Sequence, residues 1–107
     1  MMKRCEVWWI NFGPSVGGRI RKKRPAVIVS NNAANQFLNR VQIVPLTGSV
    51  GKLYPSETYV SLRGKKAKAM TDQLTTVRKK RLINQAGTVS KTEMDGIERA
   101  IIIQLDL

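Results

Sequence analysis

Histidine is absent from the sequence. That removes the commonest general acid/base at neutral pH and the commonest metal ligand. Cysteine occurs once, at Cys5, so neither an intramolecular disulfide nor a thiolate metal cluster can form. A reducing cytoplasm is the natural setting for such a chain. Acids are scarce, with seven Asp and Glu against nineteen Lys and Arg. None of them is spaced as a carboxylate pair outside the C-terminal segment. There Glu93, Asp95 and Glu98 read as first-turn and solvated positions of a helix. This inventory speaks against a two-metal nuclease and leads us to expect no cofactor and no metal. Aromatic residues total six, too few to fill a core and also cover an open sheet with stacking platforms. No apolar run approaches the length of a membrane span. The run Val7–Ile10 ends at Asn11, too short for a signal-peptide core.

Positive charge is present in excess, with a net of +12. It is also clustered. Residues 19–24 read Arg-Ile-Arg-Lys-Lys-Arg, residues 63–68 carry Arg63, Lys65, Lys66 and Lys68, and residues 78–81 read Arg-Lys-Lys-Arg. These clusters contain no acid, whereas the segment from Ser90 onward has more acids than bases. A polyanion is the first partner such a field implies. A lipid surface or an acidic protein could also supply the opposite charge, and a merely solvated surface is the plain alternative.

A chain of 107 residues fits one domain spanning 1–107. Val7–Phe12 reads as a first strand, followed by the turn-rich Gly13–Gly18. Pro25–Ser30 is a continuous apolar run and reads as a buried strand, with Pro25 tolerated at its start. Asn31–Asn39 reads as a short helix and Val41–Leu46 as a third strand. Thr58–Leu62 and Ala67–Met70 bracket a basic turn at Gly64. Asp72–Val77 alternates as a strand, and Gln85–Val89 closes the set. Ser90 with Glu93 forms a capping box, and Met94, Ile97, Ile101 and Leu105 then recur at helical spacing, a stripe expected to lie on the sheet. The expected class is mainly β with small helices, an SH3-like β-barrel with a C-terminal helix.

Catalysis without His or paired acids must rest on Arg, Lys, hydroxyl or backbone groups. RNA suits that inventory because it carries its own nucleophile. Attack of the 2′-hydroxyl on the adjacent phosphorus needs alignment and charge stabilisation, and the planar fork of an Arg matches two phosphate oxygens.

Several segments, in order, resemble one family. Cys5-Glu6-Val7-Trp8-Trp9 resembles the opening strand of the MazF/PemK toxins, and Lys23-Arg24-Pro25-Ala26-Val27-Ile28-Val29-Ser30-Asn31 their second strand. Val44-Pro45-Leu46-Thr47 is similar to the end of their third strand. Ala69-Met70-Thr71-Asp72-Gln73-Leu74-Thr75-Thr76-Val77 resembles the signature before their final turn. Arg81-Leu82, Gly87 and the segment from Ser90 fit the close. The resemblance spans nearly the whole chain, and the ordered set rather than any one piece is specific. It implies a MazF/PemK/CcdB-like fold and a homodimer. It also implies a metal-independent endoribonuclease for single-stranded RNA and inhibition by a cognate antitoxin with an acidic tail. It places the catalytic arginine on Arg24 and the hydroxyl partner on Thr47. Arg19, Arg21, Lys22 and Lys23 are expected to grip the substrate, and Asn31, Lys52 and Gln73 are further candidate RNA contacts. For Gln73 a structural hydrogen bond is the alternative. Cys5 stands where the family usually has glycine, and Asn32 where it often has Asp. Trp8 and Trp9 fall on opposite strand faces. One is expected in the core and the other at a dimer interface, with base stacking as the alternative. A topoisomerase-poisoning toxin of the same fold and a non-catalytic RNA-binding module remain as rival readings.

Overall fold

The computed structural model describes residues 2–13 and 23–107. Among these residues seven strands and two α-helices follow one another: β1 (Glu6–Asn11), β2 (Lys23–Ile28), α1 (Asn32–Phe37), β3 (Arg40–Thr47), β4 (Glu57–Leu62), β5 (Lys65–Met70), β6 (Thr75–Arg78), β7 (Leu82–Thr88) and α2 (Lys91–Leu105). The sheet is antiparallel in the order β4-β5-β3-β2-β1-β7. The long strand β3 pairs with β6 through its first half and with β5 through its last two residues. It therefore links the two parts of a strongly curved half-barrel. The turn after β4 reaches β7 at the other end of the sheet: Arg63 Nε donates to the Ala86 carbonyl at 3.1 Å.

Both faces of the central strands are covered, which explains why Ala26–Val29 is apolar without alternation. Val27, Val44, Leu46, Val60 and Ala69 pack beneath Met94 and Ile97 of α2. Ile10, Ile28, Val41, Ile43, Val77 and Leu82 form a second cluster on the other face. The hairpin between β4 and β5 turns on Arg63 and Gly64, both at positive φ (52° and 78°), the conformation of a two-residue turn that follows the strand twist. Gly96 lets α2 lie close to β4, since a Cβ there would stand 2.8 Å from Thr58 Oγ1.

Four expectations need correction. Pro25 is not the start of its strand but its third residue, paired with Trp9. Asp72–Val77 is not one strand. Thr71–Gln73 forms a 3-10 turn that brings the chain from β5 to β6, closed by Leu74 N–H donating to the Thr71 carbonyl. Leu105 is not buried against the sheet: Ile102, Ile103, Leu105 and Leu107 at the end of α2 remain exposed. The tryptophans do not divide into core and surface. Both are half-buried, Trp9 against the cluster under α2 and Trp8 against the other, its indole N–H donating to Glu6 Oε1 at 3.0 Å.

Candidate functional site

β2 and β3 pair over only three positions, Ala26–Pro45, Val27–Val44 and Ile28–Ile43. A proline has no N–H to give to a ladder. With Pro25 in one strand and Pro45 in the other, the ladder stops at Ala26–Pro45. Two residues farther along, the same antiparallel count brings Arg24 level with Thr47. Both are half-buried, at strand positions that fix the backbone while leaving the side chains reachable. Among the described residues the Arg24 guanidinium enters no hydrogen bond and no ion pair. The Thr47 hydroxyl accepts from Ser49 N–H at 3.2 Å, which leaves its own hydrogen to donate.

On the far side of Thr47 the row continues. Thr47 pairs with Lys68 of β5, and Lys68 with Tyr59 of β4. Beside this row lies a groove of about 530 Å³. Its floor is apolar, made by Trp9, Pro25, Leu46 and Leu62, and Thr47, Arg63, Lys65 and Lys66 stand at its rim. An apolar floor beneath a cationic rim suits a molecule with flat bases and a charged backbone.

The sequence matches the model of the family described as PemK-like, MazF-like toxin of type II toxin-antitoxin system over residues 3–105. The chain belongs to this family. It is 32% identical to endoribonuclease MazF9 of Mycobacterium tuberculosis, an alignment that covers 100% of this chain and 98% of that protein. The fold matches a mycobacterial endoribonuclease solved in complex with its cognate antitoxin, with a TM-score of 0.81 and 25% identity over 98% of this chain and 95% of that one. It also matches MazF of Deinococcus radiodurans with a TM-score of 0.81 at 20% identity, covering 98% and 96% of the two chains.

For this PemK/MazF-family chain the other candidate residues distribute unevenly. Arg19, Arg21 and Lys22 lie outside the described residues. Lys23 is exposed at the start of β2, opposite Asn11. Arg81 Nη1 donates to the Asn11 carbonyl at 3.2 Å, so this one member of the 78–81 cluster borders the end of β1, where Asn11 pairs with Lys23. Lys52 is in the loop that follows Thr47, its ammonium 5.4 Å from the centre of the exposed Tyr54 ring. Gln73 is exposed on the 3-10 turn, with its amide nitrogen 3.6 Å from Met70 Sδ. Asn31 is not brought to Arg24 within this chain. It follows the opposite end of β2, about 23 Å away along extended backbone, and its side chain caps α1 by accepting from Ala34 N–H at 2.8 Å. Asn32 Oδ1 accepts from Arg4 N–H at 2.8 Å, work that a carboxylate could also do.

Sequence reasoning missed Lys68 and Glu57. Lys68 was counted with a surface cluster, yet it is buried in an ion pair with Glu57, Nζ to Oε1 3.2 Å. The hydrogen bond from Tyr54 N–H to Glu57, at 2.9 Å, holds that carboxyl below the ordinary glutamate range against the opposing effect of burial, and the Lys68 ammonium adds to the lowering. No three His, Cys, Asp or Glu side chains converge as a metal site among the described residues. No helix described is long and apolar enough to cross a membrane.

Proposed function

We propose that this chain is the RNA-cleaving toxin of a toxin–antitoxin pair, and that it cuts single-stranded RNA without metal through Arg24 and Thr47. The observation that supports this reading is the basic groove with Thr47 and Pro25 in its lining, just past the last β2–β3 pair, where continuing the antiparallel count puts Arg24 opposite Thr47. In the proposed reaction the 2′-hydroxyl oxygen attacks the adjacent phosphorus. The bond to the 5′-oxygen breaks, leaving a 2′,3′-cyclic phosphate and a 5′-hydroxyl end. Arg24 stabilises the extra negative charge on the phosphorane with its two-pronged donor, and Thr47 donates to a phosphate oxygen. Free Arg rarely gives up a proton, so charge stabilisation is the role assigned to it. Arg19, Arg21, Lys22, Lys23 and Lys52 hold the flanking phosphates, and Asn31 and Gln73 are further contacts.

The antitoxin of such a pair would lay an acidic tail along the same groove, a segment disordered alone and folded on binding. The mycobacterial relative solved with its cognate antitoxin supports a partner of this kind. Two copies would join through the exposed apolar face of α2, and the cytoplasm, where RNA and a free thiol both persist, is the proposed location. The test is cleavage of single-stranded RNA in excess chelator, with analysis of the ends. The reading expects cyclic phosphate ends and intact DNA of matching sequence, since DNA lacks the attacking hydroxyl. Activity abolished by EDTA and restored by Mg²⁺ would overturn it.

A further inference from the structure

Three side chains from β4 and β5 hold the backbone of the loop that follows Thr47. Lys68 Nζ donates to the Lys52 carbonyl at 3.1 Å while paired with Glu57. Glu57 Oε1 accepts from Tyr54 N–H at 2.9 Å. The Tyr59 hydroxyl lies 3.1 Å from the Val50 carbonyl and 3.0 Å from that of Gly51, donating to one or the other. The loop is thus held by three hydrogen bonds to its backbone although residues 51–55 are exposed.

A buried ion pair is a poor way to stabilise a fold, because desolvation offsets most of the attraction and apolar replacements often do as well. Here the side chains of Lys68 and Glu57 are only 10% and 12% exposed. Their polar atoms point at the loop rather than outward. What the loop presents to solvent is Tyr54, 54% exposed, beside Lys52, a flat ring next to a cation. Bases of single-stranded RNA are splayed out and stacked on such rings. The loop begins at Gly48, directly after Thr47, so its position also sets where a base meets the reacting phosphate.

We propose that Lys68 and Glu57 are positioning residues that fix this loop, with Tyr54, as a base-selecting element that continues from Thr47 and Gly48 at the edge of the RNA groove. The inference rests on the reading of the groove as an RNA site. The test compares wild-type protein with the double variant Lys68→Met, Glu57→Gln and with Tyr59→Phe. Each is assayed for kcat and KM on the RNA that wild type cuts best and on its single-base variants. The glutamine keeps an acceptor for Tyr54 N–H, and the methionine fills the lysine's space without an unpaired charge. The expected result for the double variant is a KM raised about tenfold and discrimination among bases reduced about tenfold, with kcat on the best RNA nearly unchanged, as for a displaced positioning group. Tyr59→Phe, which removes one hydroxyl, should move both in the same direction by less, and it carries the test if the double variant does not fold. Unchanged KM and discrimination in a folded variant would overturn the proposal, as would a loss confined to kcat. Failure of wild type to cut any RNA would instead remove the groove reading itself.

Discussion

Arg24 owes its position to its neighbour: Pro25 ends the ladder and fixes the strand on which the guanidinium is carried. Replacement by lysine should therefore rescue little, because an ammonium cannot reproduce the planar fork. Arg24→Lys is expected to stay within about tenfold of Arg24→Ala in kcat, and Thr47→Ser to remain near wild type while Thr47→Ala loses more. Timed cleavage of one fluorogenic RNA reads all four. Cys5 has a different constraint. Its φ is 80°, a region that glycine enters without strain and residues with a Cβ do not. A β-branched residue is most strained in that region. Cys5 already bears the cost of a Cβ in that region, about 1–2 kcal/mol, so Cys5→Val should lower stability further through its branched Cβ although valine is a good strand residue, and denaturant unfolding measures this. Glu57 gives a pH dependence. Its folded pKa is depressed, so its contribution to stability is present above the ordinary value of 4.5 and lost as pH falls through the lower folded value. The difference in melting temperature between wild type and Glu57→Gln should shrink with acidification below 4.5. A difference that grew there would contradict the assignment.

Among the elements, α2 shows how a local rule yields to packing. Glycine costs a helix interior about 1 kcal/mol relative to alanine, yet Gly96→Ala is expected to destabilise, because the new methyl would meet Thr58 Oγ1 at 2.8 Å. The companion change Thr58→Ala should recover most of the loss, a coupling that a double-mutant cycle in denaturant measures. The capping box Ser90–Glu93 and the buried Met94 and Ile97 were legible from spacing alone. So were the strands around Val27 and Val44, whereas the choice of Arg24 and Thr47 as site residues came from the family resemblance. Lys68 was not legible: alternating lysines in β5 read as solvated, and only the cross-strand position of Glu57 shows that one of them turns inward. The break at Leu74 was hidden because a 3-10 turn and a strand can share the same polar–apolar alternation. Leu105 fits the helical stripe, and no local pattern reports that the last turn of α2 is left uncovered.

The whole molecule separates two surfaces. Basic residues gather around the groove and the end of β1, while the end of α2 presents Ile102, Ile103, Leu105 and Leu107 to solvent. RNA affinity should fall steeply with salt, each neutralised phosphate contributing about −0.7 to the log–log slope for a single strand. With two copies joined through this face as proposed, Leu105→Glu should favour the monomer in sedimentation without altering that slope. A slope near zero would mean that the basic clusters do not meet the backbone. The central claim is that Arg24 stabilises the reacting phosphate, and one measurement reaches it most directly. Purified Arg24→Ala, shown by circular dichroism to be folded, is timed on single-stranded RNA in excess chelator beside wild type. The account predicts a rate at least about a hundredfold lower, the scale of losing a transition-state donor. Cleavage at the wild-type rate by the folded variant would contradict it.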